Sequence, residues 1–150
     1  MTRMFGTIVL AAVVASGIQA AAHHSNPLYF DMAKAITLEG TVLRVEWVNP
    51  HVLLFLQSKG DKGELETWVL HGRSLNNALR AVGSMTERLQ PGIAITARAW
   101  PPRIGLDLND TLTVWPSKAG GARKSSRIAG AGEIRFSNGE VLAFGGGPKF

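Results

Sequence analysis

The chain of 150 residues contains no cysteine. That absence excludes a disulfide framework, a thiolate-bound zinc or iron–sulfur centre, c-type haem attachment, a cysteine nucleophile and a lipid-modified cysteine anchor. Histidine is scarce, with four in all, and tyrosine occurs once. Acidic side chains are outnumbered, 11 Asp+Glu against 16 Lys+Arg, for a net charge of +5. No apolar run reaches the roughly 20 residues that a membrane-spanning helix needs. The signatures of common enzymes are missing too: there is no G-x-S-x-G, no H-E-x-x-H and no Walker loop, and Gly130-Ala131-Gly132-Glu133 fails the dinucleotide pattern. With no catalytic constellation, a binding protein is favoured over an enzyme. What remains is 45% hydrophobic with 17 Gly and 7 Pro, the composition of one small globular domain whose turns join short elements.

The first segment reads as an address. Arg3 supplies a positive start, residues 4–18 are apolar apart from Gly and two small hydroxyls, and Ala20-Ala21-Ala22 offers small residues for cleavage. This is the pattern of a secretory signal peptide over residues 1–22, with a periplasmic or secreted destination. Cleavage after Ala22 exposes His23 as the new N-terminus, whereas cleavage after Ala21 puts Gln19 at a position that prefers a small residue.

The rest is mainly β. The apolar positions Ile36, Leu38 and Val42 change phase to Leu43, Val45 and Trp47, which predicts a long first strand with a β-bulge near Gly40. Residues 52–56 form a continuous buried strand, 59–63 a turn and 67–70 a third strand. Leu75, Ala78, Leu79 and Val82 fall at i, i+3, i+4 and i+7, a short helix capped by Ser74 and Gly83. Ile93, Ile95, Ala97 and Ala99 alternate with polar neighbours in a fourth strand, and residues 111–115 make a fifth. Three strands, a helix and two strands with a bent first strand is the order of a five-stranded OB-like Greek-key barrel. An open antiparallel sheet carrying one helix is the alternative.

The expected organisation is a signal peptide over 1–22, the barrel over 23–116, a flexible basic loop over 117–132, and a C-terminal β-hairpin and tail over 133–150. The loop is read from its Gly, Ala, Ser, Lys and Arg content. The hairpin is read from Asn138-Gly139 between two apolar stretches; a two-residue turn there sets Phe136 opposite Val141 and Ile134 opposite Ala143. Residues 145–148 are expected to lack order.

Ala22-His23-His24-Ser25, Phe30-Asp31, Thr37-Leu38-Glu39-Gly40-Thr41-Val42, Trp47-Val48-Asn49-Pro50-His51 and Leu89-Gln90-Pro91-Gly92 together resemble a family of exported bacterial proteins, domain of unknown function 6152. The resemblance runs from His23 to about Trp115. This chain departs from the pattern at Asn26-Pro27-Leu28, at Gly83-Ser84, and in the inserted stretch 117–132. The resemblance implies export, a small β-rich domain and bacterial origin. It carries no established activity.

The side chains therefore have to speak for function. His23 at a mature N-terminus places an α-amine and an imidazole on one residue, which chelate a metal through a small ring, and nitrogen-rich tetragonal sites suit Cu(II). The metal reading takes His23, His24 and His51 as ligands and Cu(II), or another divalent ion, as the cofactor. A flexible polar start is the plainer reading of the histidine pair. His71 is read as structural or exposed, Asp31 and Glu46 as solvated charges that could orient a ligand, and Trp47, Trp68, Trp100 and Trp115 as core and rim packing. The alternative function is a metal-free scaffold or ligand-binding module of the bacterial envelope. Partners are an envelope component or a metal ion, with the chain a monomer without a transmembrane anchor. Nucleic acid is not expected for an exported protein, despite a pI of ≈ 10.1.

Overall fold

The computed structural model describes residues 26–49, 51–81, 85–103 and 127–146. The expected signal peptide, His23, His24, the strand at 111–115, Trp115, Val82, Gly83 and most of the basic loop lie outside them. The elements in chain order are α1 (Asn26–Tyr29), β1 (Ile36–Glu46), β2 (Leu53–Lys59), β3 (Leu65–His71), α2 (Leu75–Ala81), α3 (Met85–Arg88), β4 (Ala94–Trp100), β5 (Arg127–Phe136) and β6 (Val141–Ala143).

The sheet order β3-β2-β1-β4-β5-β6 is closed by a further pairing of β3 with β5. That closing pair is parallel, from Trp68 opposite Arg127 to His71 opposite Gly130, and the other neighbours are antiparallel. The result is a closed five-stranded OB-like barrel with α2 between β3 and β4 and one extra strand bonded to it. Closure matters energetically because it removes the exposed backbone edges of an open sheet.

β1 makes closure possible by serving two neighbours. Its first half, Ile36 to Thr41, pairs with β4, and its second half, Gly40 to Glu46, pairs with β2. Gly40 and Thr41 bond to both. A Cβ on Gly40 would overlap the Gln57 carbonyl, so the close approach of β2 requires glycine there. The bulge expected at Gly40 lies instead at Leu43, where the register skips from Val42 opposite Leu56 to Arg44 opposite Phe55. Leu43 is the extra residue and points toward solvent. The skip lets Val42 and, beyond it, Val45 and Trp47 all pack on the inner core.

The unbroken apolar run on β2 has two destinations. Leu54 and Leu56 face the barrel interior with Leu38, Val42, Leu70 and Ile134. Leu53 and Phe55 face outward into a second cluster with Phe30, Val69, Trp100 and Ile128. Both faces of β2 are thus buried, which removes any need for polar alternation.

The helix α2 matches its expected span, with the Asn77 amide donating to Ser74 Oγ at 3.4 Å and Ala78 fully buried. Its apolar stripe is narrower than the spacing suggests, because Leu79 is 48% exposed.

Residues 127–132, expected as the end of a flexible loop, are strand. Their small side chains are a packing requirement. A Cβ on Gly130 would come within 2.6 Å of the Phe30 ring, and one on Gly132 within 2.6 Å of the Trp100 ring. Ala129 and Ala131 are fully buried. The barrel therefore continues past residue 116, and β5 supplies its fifth strand.

β5 and β6 form the expected hairpin in a register shifted by one, with Ile134 opposite Leu142 and Arg135 opposite Val141. The loop has three residues and not two: the Phe136 amide donates to Glu140 O, the Gly139 amide to Phe136 O, and Gly139 holds φ 83°. The shift turns Leu142 inward and leaves Val141 exposed. The tail is anchored at its start, since Gly145 donates to Gly132 O at 2.8 Å and accepts from Arg73 at 2.9 Å.

Candidate functional site

His51 immediately precedes the β2–β3 ladder. The Val52 amide donates to Arg73 O at 3.0 Å and the Gly72 amide to Val52 O at 2.8 Å, extending that ladder and holding the approach to β2 against the exit from β3. His51 Nδ1 lies 3.2 Å from Gly72 O. A carbonyl oxygen only accepts, so Nδ1 carries the hydrogen and the basic lone pair of the neutral ring is on Nε2. A backbone carbonyl holding one ring nitrogen while the other faces a metal is the usual support of a histidine ligand.

His71, at the end of β3, is buried, and its ring centroid lies 4.4 Å from that of His51 with the planes tilted by 39°. Burial, reinforced by the neighbouring His51, pulls its pKa from 6.5 down to about 3. His71 therefore stays neutral at any physiological pH, which fits the structural branch of its sequence reading.

The other wall of His71 is Phe30, with ring centroids 5.8 Å apart. Phe30 comes from the segment that follows α1, and that segment is tied down by backbone. Phe30 forms a bridge with Pro102, the Asp31 amide donates to Pro101 O at 2.9 Å, and the Arg103 amide donates to Tyr29 O at 3.0 Å. Phe30 is 3% exposed and packs in the outer cluster. The segment from Tyr29 to Asp31 is in this way held at the end of the barrel that carries His51 and His71.

The nearby carboxylates are engaged elsewhere. Asp31 bonds Lys34 at 3.2 Å and accepts from the Ala33 amide, and the Lys34 ammonium in particular holds its carboxyl below the usual range. Glu46 pairs with Arg44 at 3.2 Å, and the Arg44 guanidinium lies 3.4 Å from the Phe55 ring centroid. Trp100 is fully buried, while Trp47 and Trp68 are half-buried against the inner core, matching their reading as packing residues.

Of the three proposed ligands, His51 is placed by the structure, and His23 and His24 lie outside the described residues. No cluster of three or more His, Cys, Asp or Glu side chains able to hold a metal occurs among the described residues. Among them, too, no helix is long and apolar enough to cross a membrane. Sequence reasoning missed the pairing of His71 with His51. The signal for it was the turn at 60–64: counting outward equally from that turn along both strands sets His71 opposite Leu53.

The profile of a family of unknown function, DUF6152, matches residues 11–109. No curated protein matches the chain.

Proposed function

The chain belongs to the DUF6152 family, and because that family has no known function we propose a role from the chain's own chemistry: an exported β-barrel binding module that takes up one Cu(II) through its N-terminal histidines. Export to the periplasm or medium rests on the signal-like segment 1–22. The His23 amine and imidazole form the chelate ring, and His24 or His51 completes a nitrogen-rich plane.

The observation that carries the reading is the contact chain Phe30, His71, His51. His24 stands six positions before Phe30, and a chain of that length spans at most about 20 Å. His51 therefore lies within reach of a metal held at the mature N-terminus. Its Nε2 lone pair is the donor it would offer.

Calorimetric titration of protein recovered from the periplasm tests the site. One equivalent of Cu(II) is expected, bound more tightly than Zn(II), as the Irving–Williams order requires. Affinity falls as pH drops through the amine and imidazole ranges, about 7.7 to 8 and about 6.5. A tag left on the N-terminus weakens binding as much as His23→Ala does, and His51→Ala weakens it as well. No copper uptake by correctly processed protein ends the metal reading. Intact mass checks export: a mass that still includes residues 1–22 rejects cleavage.

A further inference from the structure

We infer that the open end of the barrel, remote from the histidines, is a binding site for a neutral saccharide. A cavity of about 870 Å³ lies there, lined by the start of β1, the end of β2, the 60–64 turn, the starts of β3 and β4, and both ends of β5. All five barrel strands contribute to it. Its size is within the range of small-ligand sites. Leu65 at the cavity and His71 at the copper end sit at opposite ends of β3, so the two sites can succeed or fail separately.

The lining chemistry selects the ligand. Leu38 and Ile95 belong to the inner core, and Trp68 and Phe136 are half-buried against it, so one part of the wall is apolar and aromatic. Beside the indole is an ion pair: Arg127 bonds Glu66 at 2.7 Å, and its guanidinium lies 5.6 Å from the Trp68 ring centroid. The Glu66 side chain is 14% exposed, a sheltered carboxylate that orients the more exposed arginine.

Charge argues against a polyanion. Lys59, Arg127 and Arg135 are the basic lining residues, and Glu39, Asp61, Glu64 and Glu66 offset them. Nucleic-acid binding depends on a positive surface that displaces counterions from phosphates, and among the described residues the lining has no excess of basic side chains. A wholly apolar ligand would strand the Glu66–Arg127 pair away from water without replacing its hydrogen bonds. A sugar ring meets both demands, with C–H groups against the aromatic wall and hydroxyls toward the Glu66 carboxylate and the Arg127 guanidinium.

The test titrates the full mature chain with maltotriose, cellotriose and chitotriose, and separately with an oligothymidylate, by calorimetry and by the indole N–H signals in ¹H–¹⁵N spectra. At least one trisaccharide is expected to bind with a Kd of about 1 mM or below, to shift the Trp68 indole signal, and to hold its affinity as salt rises. Arg127→Gln alters a largely exposed side chain and should weaken that binding at least fivefold, roughly the loss of one charge-assisted hydrogen bond. Trp68→Phe keeps an aromatic ring in the core and should also weaken it. The inference is overturned if no trisaccharide binds, if bound sugar ignores both substitutions, or if the oligothymidylate alone binds with a steep loss on adding salt.

Discussion

The imidazoles of His51 and His71 lie 4.4 Å apart, one at the edge of the barrel and the other sealed beneath it by Phe30. The outer histidine has its tautomer set by a backbone carbonyl, and the inner one has its charge suppressed by burial. The pair lies beside the segment that follows α1, with the inner ring held neutral.

Acid should destabilise the metal-free protein through His71. The folded chain holds His71 neutral down to about pH 3, while the unfolded chain protonates it near its ordinary value of 6.5. Between those values the unfolded state binds the extra proton, so stability falls as pH falls, by about 1.4 kcal/mol per unit. In urea titrations with chelator present, wild type should lose about 2 kcal/mol more than His71→Leu between pH 7 and pH 5. Equal losses in the two proteins would show that the buried imidazole is not a source of acid sensitivity.

Gly40→Ala should destabilise the barrel by about 1 to 3 kcal/mol, because the new methyl overlaps the Gln57 carbonyl and backbone cannot rotate away as a side chain can. Urea denaturation measures it. A change within about 0.5 kcal/mol, the ordinary range for a surface position, would mean that β1 and β2 separate at that point without cost.

Phe30→Ala should remove about 3 to 5 kcal/mol by opening a cavity among Trp100, Phe55 and Val69 in the outer cluster. The Asp31 amide, bonded to Pro101 O, should exchange with solvent faster than in wild type. If His51 completes the copper site, the same substitution lowers Cu(II) affinity to that of His51→Ala. Full affinity in Phe30→Ala would leave a chelator made by the terminal residues alone.

Most strands were legible because in-and-out alternation is a local property of the chain. The phase change after Val42 announced a bulge correctly and misplaced it by three residues: periodicity records that a residue has been skipped, but the closer glycine is the more conspicuous marker. The hairpin was legible from Asn138-Gly139, and its register was not, since the same dipeptide serves two- and three-residue loops.

By itself the sequence determined the succession β1, β2, β3, α2 and β4, the absence of any thiol chemistry, the helix capped by Ser74, and the histidines on which a metal reading rests. Only the tertiary structure decided which strand completes the barrel and what lies beside His51. The stretch 127–132 reads as a linker because its residues are small; it is a buried strand because Phe30 and Trp100, far away in the chain, fill the space that larger side chains would need. His71 reads as isolated because its neighbours come from the approach to β2 and from the segment after α1. His51 meets His71 through the β2–β3 hairpin, whose register only the turn at 60–64 hints at. The buried strand depends on contacts made when β3 and β5 close the sheet, and such long-range contacts leave no period in the sequence for a local reading to detect.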